Sequence, residues 1–300
     1  MISDEATQFH LLLQAMSAEE QPDRPIEEVR AASALWAVAT GEPDGVTYRP
    51  VDADGVAAQW VVPVGADEQR VLLYLHGGGY SVGSIESHRK LVGHLSKAAG
   101  VRGLIIDYRL APEHPFPAGL DDAVTAFSWL LRQGHGATHI ALGGDSAGGG
   151  LALATALALP ERGLPAPAGL ALLSPWTDLA STGESLITNT GKDLILGRGD
   201  EDDPGIGWYA GEHDVKNPLI SPLYADFSDF PPFIVHVGGD ELLLDDSTRL
   251  AERAAAAGCD ATIQVWPEMQ HVFQIAAGNV PESDASVSAL GAWLSKHLAD

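Results

Sequence analysis

Hydrophobic and polar positions follow two patterns along this chain. In residues 4 to about 40, apolar side chains recur at helical spacing, and Pro22 and Pro25 separate two predicted helices. From about Val46 to Trp176, short apolar runs alternate with stretches of helical periodicity. This alternation is typical of a mostly parallel sheet that helices cover on both faces.

The second pattern defines individual elements. The apolar runs predicted as strands are 71–75, 138–142, 232–237 and 261–266. The stretches predicted as helices are 86–99, 118–131, 148–159 and one that begins near Asp245 or Asp246 and runs to Ala257.

The alternation stops between Asp178 and about Asn217, where the sequence becomes polar, and it resumes afterwards. We therefore expect an insertion that joins the N-terminal helices in a helical cap over one end of an α/β core. The predicted organisation is a cap segment at 1–44, core at 45–177, a cap insertion at 178–217 and core again at 218–300.

Ser146 is the first candidate for chemistry. It stands between a predicted strand and a predicted helix, with Gly144 two residues before it and Gly148 two residues after it. A serine in this context fits a nucleophile elbow, because the small glycines let strand and helix approach closely around a strained turn. We therefore predict that Ser146 is a catalytic nucleophile.

A second glycine motif follows the predicted strand at 71–75, where the chain reads His76-Gly77-Gly78-Gly79. Loops of this kind supply oxyanion-hole amides in lipases and esterases. We predict that the hole consists of the amides of Gly78, Gly79 and Ala147. We expect His76 to brace the loop together with Gly77 rather than to contact substrate.

The acid and the base are expected after later strands, in the order serine, acid, histidine. Asp240 follows the strand at 232–237 and is the predicted acid, while Glu241 lies one residue too far. His271 lies on the loop after the last predicted strand and is the predicted base. His297 falls in a C-terminal helical pattern and is the weaker candidate.

Composition excludes several classes of partner. The formal net charge is −24, which argues against nucleic acid and anionic lipid as binding partners. The acidic run at 200–203 is interpreted as solvated surface. The single cysteine, Cys259, fits a reducing cytoplasm. No phosphate-binding or dinucleotide-binding glycine loop and no metal-ligand spacing is present, so we expect no cofactor and no metal. The sequence is compatible with a homodimer.

The chain contains four motifs in this order: HGGG, GDSAGG, a late D-E-L and H-V-F. In these motifs it resembles the hormone-sensitive-lipase-like esterases of the α/β-hydrolase superfamily. The likeness extends from about Val46 to the end. It implies an α/β-hydrolase fold with a cap and no cofactor. One departure concerns the base, since the family usually has glycine where this chain has Val272.

These motifs predict a serine carboxylesterase for short- to medium-chain esters that works through an acyl-enzyme. A lactone hydrolase or an amidase with the same triad is the alternative. A ligand-binding receptor of this fold is disfavoured because all three reacting residue types are present. The side chains expected to line an apolar pocket under the cap are Trp36, Tyr80, Trp208 and Tyr209.

Overall fold

The structure is a computed structural model that describes residues 2–17, 25–34, 36–196 and 204–299. Pro22 and the acidic run at 200–203 lie outside the described residues. The strands, in chain order, are β1 (Val46–Asp52), β2 (Ala57–Pro63), β3 (Asp67–Leu75), β4 (Val101–Ile106), β5 (Ile140–Asp145), β6 (Gly169–Leu173), β7 (Phe233–Gly238) and β8 (Ala261–Trp266).

These strands form one sheet in the order β1-β2-β4-β3-β5-β6-β7-β8. The pairs β1/β2 and β2/β4 are antiparallel, and every other neighbouring pair is parallel. The predicted α/β fold with a mostly parallel sheet is therefore confirmed, and all four predicted strands are present.

The helices include those predicted for the core, and short helices occur in the predicted insertion. In chain order they are α1 (Asp4–Ser17), α2 (Ile26–Ser33), α3 (Trp36–Ala39), α4 (Ile85–Ala99), α5 (Ala118–Arg132), α6 (Ala147–Glu161), α7 (Ser185–Thr188), α8 (Pro204–Ala210), α9 (Leu244–Ala256) and α10 (Pro281–His297).

Both faces of the sheet are buried, as the apolar runs predict. Along β3, Val71, Leu73 and Leu75 point into one core cluster, which contains apolar residues of α5 and α6. Leu72 and Tyr74 point into the other cluster, which contains apolar residues of α1, α4 and α10. Successive side chains of a strand face opposite sides, so a strand covered on both sides must be apolar throughout.

The N-terminal helices are held against the core by polar contacts. The backbone amide and hydroxyl of Ser3 donate to the Glu282 carboxylate at 2.6 and 2.7 Å, which places α1 beside α10. Arg30 on α2 donates to the carbonyl oxygen of Ser81 at 2.9 Å and pairs with Glu113 at 2.7 Å. These contacts bring α2 to the loop that follows β3.

The residues predicted to carry chemistry follow the carboxyl ends of parallel strands. His76 comes after β3, Ser146 after β5, Asp240 shortly after β7, and His271 after β8. The carboxyl ends of parallel strands meet at the same edge of a sheet, which is where ligands bind in open α/β folds. None of the helices in the described part of the chain is long and apolar enough to cross a membrane.

Candidate active site

Ser146 occupies a tight turn between β5 and α6. Its φ of 52° and ψ of −123° are strained for a residue with a side chain, at a cost of about 1–3 kcal/mol. Three backbone hydrogen bonds fix this turn: the Ser146 amide donates to Leu173 at 2.9 Å, and its carbonyl accepts from Gly150 at 3.1 Å and Trp176 at 2.8 Å. The predicted elbow geometry is present.

The glycines around Ser146 are required by close backbone contacts. A Cβ atom on Gly144 would lie within 3.0 Å of carbonyl oxygens of Gly148 and Leu75. A Cβ atom on Gly148 would lie within 3.0 Å of carbonyl oxygens of Leu75 and His76. Because these neighbours are backbone atoms of strand and loop, they cannot move aside without distorting the sheet.

Gly148→Ala is therefore expected to lower the free energy of unfolding by more than about 3 kcal/mol, because the new methyl group overlaps two carbonyl groups. Gly207→Ala on α8 is the matched control, since a Cβ there meets nothing within 4 Å. It should stabilise the protein by up to about 1 kcal/mol. Urea unfolding measures both, and equal small effects would contradict the steric argument.

The HGGG loop faces the same space as Ser146. Gly78 and Gly79 have φ values of 115° and 57°, which L residues rarely adopt. The amides of Ser81 and Val82 both donate to the Gly78 carbonyl, at 3.0 and 2.9 Å, and so fix the loop. Ala147 is the first residue of α6, where helix amides are free to bind an anion.

His76 lies behind this loop and is only 1 % exposed. Its Nδ1 is 2.8 Å from the Gly77 carbonyl oxygen, and its ring stacks on Tyr108 with centroids 4.4 Å apart. Burial lowers the pKa of His76 to about 4, so the ring is neutral at physiological pH. These contacts are the ones expected of a side chain that braces the loop.

His271 is paired with a carboxylate, but that carboxylate belongs to Glu241. Nδ1 of His271 lies 3.0 Å from Oε1 of Glu241, and both side chains are buried. The other oxygen of Glu241 accepts hydrogen bonds from the Ser174 hydroxyl and the Gly238 amide, each at 2.7 Å. Since a carboxylate only accepts, Nδ1 carries the proton and Nε2 is left as the basic nitrogen.

The prediction that Asp240 holds the imidazole is wrong. The amides of Gly239 and Asp240 still pair with the neighbouring chain, donating to Trp266 at 2.8 Å and to Met269 at 3.1 Å. The strand-like pairing therefore continues past Gly238, and the chain turns into the site one residue later than the sequence suggested. Asp240 remains half-buried, and its charge acts on His10 instead.

The pKa of His271 lies above the ordinary value of 6.5. Burial of the ring acts to lower it, but the charge and the hydrogen bond of Glu241 act in the opposite direction. The carboxylates of Asp193 and Asp145 add to the upward shift. The site therefore stabilises a protonated imidazole more than water does.

Ser146 and His271 line one cavity of about 220 Å³. The N-terminal segment contributes Ser33 and Trp36 to its wall. The cavity is also lined by the glycine loop, by the segment that follows His271, and by Ile195 and Leu196 of the polar insertion.

Of the predicted pocket aromatics, Trp36 lies in the cavity wall. The prediction is wrong for the other three. Tyr80 and Tyr209 are buried and stack on each other in the core with centroids 3.6 Å apart. Trp208 is 39 % exposed on the surface. Tyr209 therefore packs the insertion against Tyr80, the residue after the glycine loop, and neither ring lines the cavity.

Two buried residues of the cavity were not found by sequence reasoning. Asp145 accepts from the Tyr74 hydroxyl at 2.8 Å and lies 3.2 Å from Nε2 of His88. Nδ1 of His88 is in turn 2.7 Å from the Ser87 hydroxyl. The sequence did contain a signal, the acidic residue directly before Ser146. A carboxylate at the buried end of a strand needs hydrogen-bond or ion-pair partners, so Asp145 indicated a polar cluster there.

A family model described as alpha/beta hydrolase fold matches residues 72–275. The chain is 42% identical over 237 residues to an acetyl-hydrolase of Streptomyces hygroscopicus, covering 79% of each chain. It is 34% identical to an esterase of Acinetobacter venetianus, covering 81% of this chain and 80% of that one. A crystal structure of an esterase from the bacterial hormone-sensitive lipase family superposes with a TM-score of 0.95 at 40% identity and covers both chains fully.

The chain belongs to the hormone-sensitive-lipase-like esterases of the α/β-hydrolase superfamily. This esterase is a carboxylic ester hydrolase, in agreement with relatives named esterase, carboxylesterase and acetyl-hydrolase. The predicted family and enzyme class are confirmed, and the alternative of a lactone hydrolase or an amidase is not favoured.

Proposed function

We propose that this esterase hydrolyses short- to medium-chain carboxylic esters through an acyl-enzyme on Ser146, with His271 as base and Glu241 as the acid that orients it. The observation that carries the proposal is the buried 3.0 Å contact of His271 Nδ1 with Glu241 Oε1. It leaves Nε2 of His271 as the basic nitrogen in the cavity that Ser146 also lines.

In the first half-reaction the Ser146 hydroxyl attacks the ester carbonyl while Nε2 of His271 takes its proton. The tetrahedral oxyanion is held by amides of Gly78, Gly79 and Ala147, at the positive end of α6. The intermediate collapses, and the alkoxide leaves with the proton from His271. In the second half-reaction water attacks the acyl-enzyme while Nε2 of His271 takes its proton. The intermediate collapses, the carboxylic acid leaves, and His271 returns the proton to Ser146.

Glu241 acts through His271 in both half-reactions. Its carboxylate fixes the tautomer that leaves Nε2 free, and its charge stabilises the imidazolium that forms when Ser146 is deprotonated. The hydroxyl of Ser174 supports it at 2.7 Å and accepts from the Val272 amide at 3.1 Å, so the acid loop and the base loop are joined.

We also propose that residues 1–44 and 178–217 form a cap and that residues 45–177 and 218–300 form the core. Support comes from Trp36 and Leu196, which bring the two cap segments to one cavity. At about 220 Å³ the cavity is below the roughly 300 Å³ at which pockets for drug-sized ligands begin. This volume favours a compact acyl group over a long one.

For p-nitrophenyl esters from acetate to laurate, kcat/KM is therefore expected to rise to a maximum between butyrate and hexanoate and to fall beyond octanoate. Each buried methylene gains about 0.8 kcal/mol, and this gain ends when the cavity is full. The panel is run below the micellar concentration of each ester, with the Ser146→Ala protein as background. A maximum at laurate would overturn the proposed chain-length range.

The pH profile tests the base. His271 must be neutral to accept the Ser146 proton, so kcat/KM is expected to increase as the pH rises through its pKa. That pKa is raised by Glu241, so the midpoint should lie above 6.5. A profile for p-nitrophenyl butyrate between pH 5 and 9, corrected for spontaneous hydrolysis, measures it. A flat profile would contradict the role of His271.

We further propose that the enzyme acts in the cytoplasm as a thiol-containing protein without disulfides. Cys259 is its single cysteine, and its thiol lies 3.6 and 3.5 Å from the carbonyl oxygens of Phe230 and Pro231. Partial burial raises the pKa of the Cys259 thiol, so the reactive thiolate is scarce. A homodimer stays a prediction.

A further inference from the structure

One short segment of the insertion, residues 189–196, contacts both the acid loop and the base loop. The Asn189 side-chain amide donates to the carbonyl oxygens of Glu241 at 2.9 Å and Gly239 at 3.2 Å. The Leu194 amide donates to the side chain of Gln270 at 2.7 Å. Gln270 directly precedes His271 in the chain, so this segment is bound to both loops that carry the proposed acid and base.

The centre of this segment is the carboxylate of Asp193, which is 3 % exposed. Its Oδ1 accepts hydrogen bonds from the amides of Ile195 and Leu196, both at 2.8 Å. Its Oδ2 accepts from the Leu242 amide at 2.8 Å. Within the described residues no lysine or arginine forms an ion pair with it, so backbone amides alone hold this buried charge.

These three bonds join two parts of the site. Ile195 and Leu196 form part of the cavity wall, and Leu242 is the residue directly after Glu241. A displacement of the wall therefore pulls on the loop that carries the acid. Because Asp193 is hydrogen-bonded to both parts, it can control the geometry of the contact between His271 and Glu241.

The charge of Asp193 also reaches the base. Three carboxylates act on the imidazole of His271: Glu241 most strongly, then Asp193 and Asp145. Asp145 is itself paired with His88, with Oδ2 and Nε2 3.2 Å apart. Among the described residues, Asp193 has no basic side chain paired with it.

We propose that Asp193 is a positioning residue of this esterase, whose carboxylate ties the Ile195–Leu196 wall to the Glu241 loop. The inference rests on the proposed triad. It assigns the polar insertion a part in the chemistry besides covering the cavity.

The test is Asp193→Asn, which keeps the shape of the side chain but removes its charge and turns one of its acceptor atoms into a donor. We expect kcat for p-nitrophenyl butyrate to fall at least about tenfold. The midpoint of the acidic limb of kcat/KM should move to lower pH, because a negative charge that raises the pKa of His271 is lost. An unchanged kcat in a folded variant would overturn the proposal.

Two further variants separate charge from packing. Asp214→Asn is the matched control, since the exposed Asp214 carboxylate also accepts a backbone amide, that of Lys216 at 2.9 Å, and it should leave kcat and midpoint unchanged. Asp193→Glu keeps the charge but displaces it, and it serves if the Asn variant does not fold. It should lower kcat with the midpoint retained, and a wild-type kcat would contradict the positioning role.

A double-mutant cycle with Glu241→Gln shows whether Asp193 acts through the acid. If it does, Asp193→Asn should lower kcat much less in the Glu241→Gln background than in the wild type. Full additivity would contradict this coupling. Wild-type activity of Glu241→Gln alone would instead refute the proposed triad, so the two failures are distinguishable.

Discussion

Ser146→Ala is expected to lower kcat for p-nitrophenyl butyrate on the order of 10⁴- to 10⁶-fold, because the acyl-enzyme can no longer form. The fold should be retained. The Ser146 side chain makes no capping hydrogen bond to α6, and alanine at a φ of 52° is no more strained than serine. The melting temperature and the near-ultraviolet circular dichroism spectrum should therefore match those of the wild type.

Ser288→Ala is a suitable control, because this serine is exposed on α10, far along the chain from the elbow. It should keep full activity. An organophosphate should add one phosphoryl group to the wild type and to Ser288→Ala, and none to Ser146→Ala, as read by mass spectrometry of the intact proteins. Labelling of the Ser146→Ala protein at the wild-type rate would show that another residue is the nucleophile.

Much of the fold could be predicted from the sequence, because the inner parallel strands are covered on both faces and must be apolar throughout. The pattern at 71–75 predicted the buried end of β3, and the pattern at 148–159 predicted α6. The elbow was equally accessible, since backbone contacts around Gly144 and Gly148 leave no room for a side chain. Local steric requirements of this kind leave a direct trace in the sequence.

The residues that were missed depend on contacts between distant segments. Whether Asp240 or Glu241 reaches His271 is decided by two backbone hydrogen bonds, one to the last residue of β8 and one to the loop after it. No local sequence pattern records these contacts. Tyr80 and Tyr209 pack on each other across more than a hundred residues of chain. Asp193 lies in a stretch without periodicity, where its burial could not be anticipated.

Glu241→Gln is expected to lower kcat about 10³- to 10⁴-fold, although the glutamine has nearly the same shape. An amide at this position can donate to Nδ1 of His271, which favours the tautomer with the proton on Nε2 and removes the base. Loss of the negative charge also lowers the pKa of His271, so the midpoint of the remaining activity should move to lower pH.

Asp240→Asn is the matched variant, one residue away and with the same loss of one charge. Its side chain is half-buried and acts on His10, so kcat should stay within about twofold of the wild type. The pair of variants compares two neighbouring carboxylates under identical conditions. If Asp240→Asn were the inactive protein and Glu241→Gln the active one, the 3.0 Å contact between Glu241 and His271 would not be the working arrangement, and the turn after β7 would have to rearrange when substrate binds.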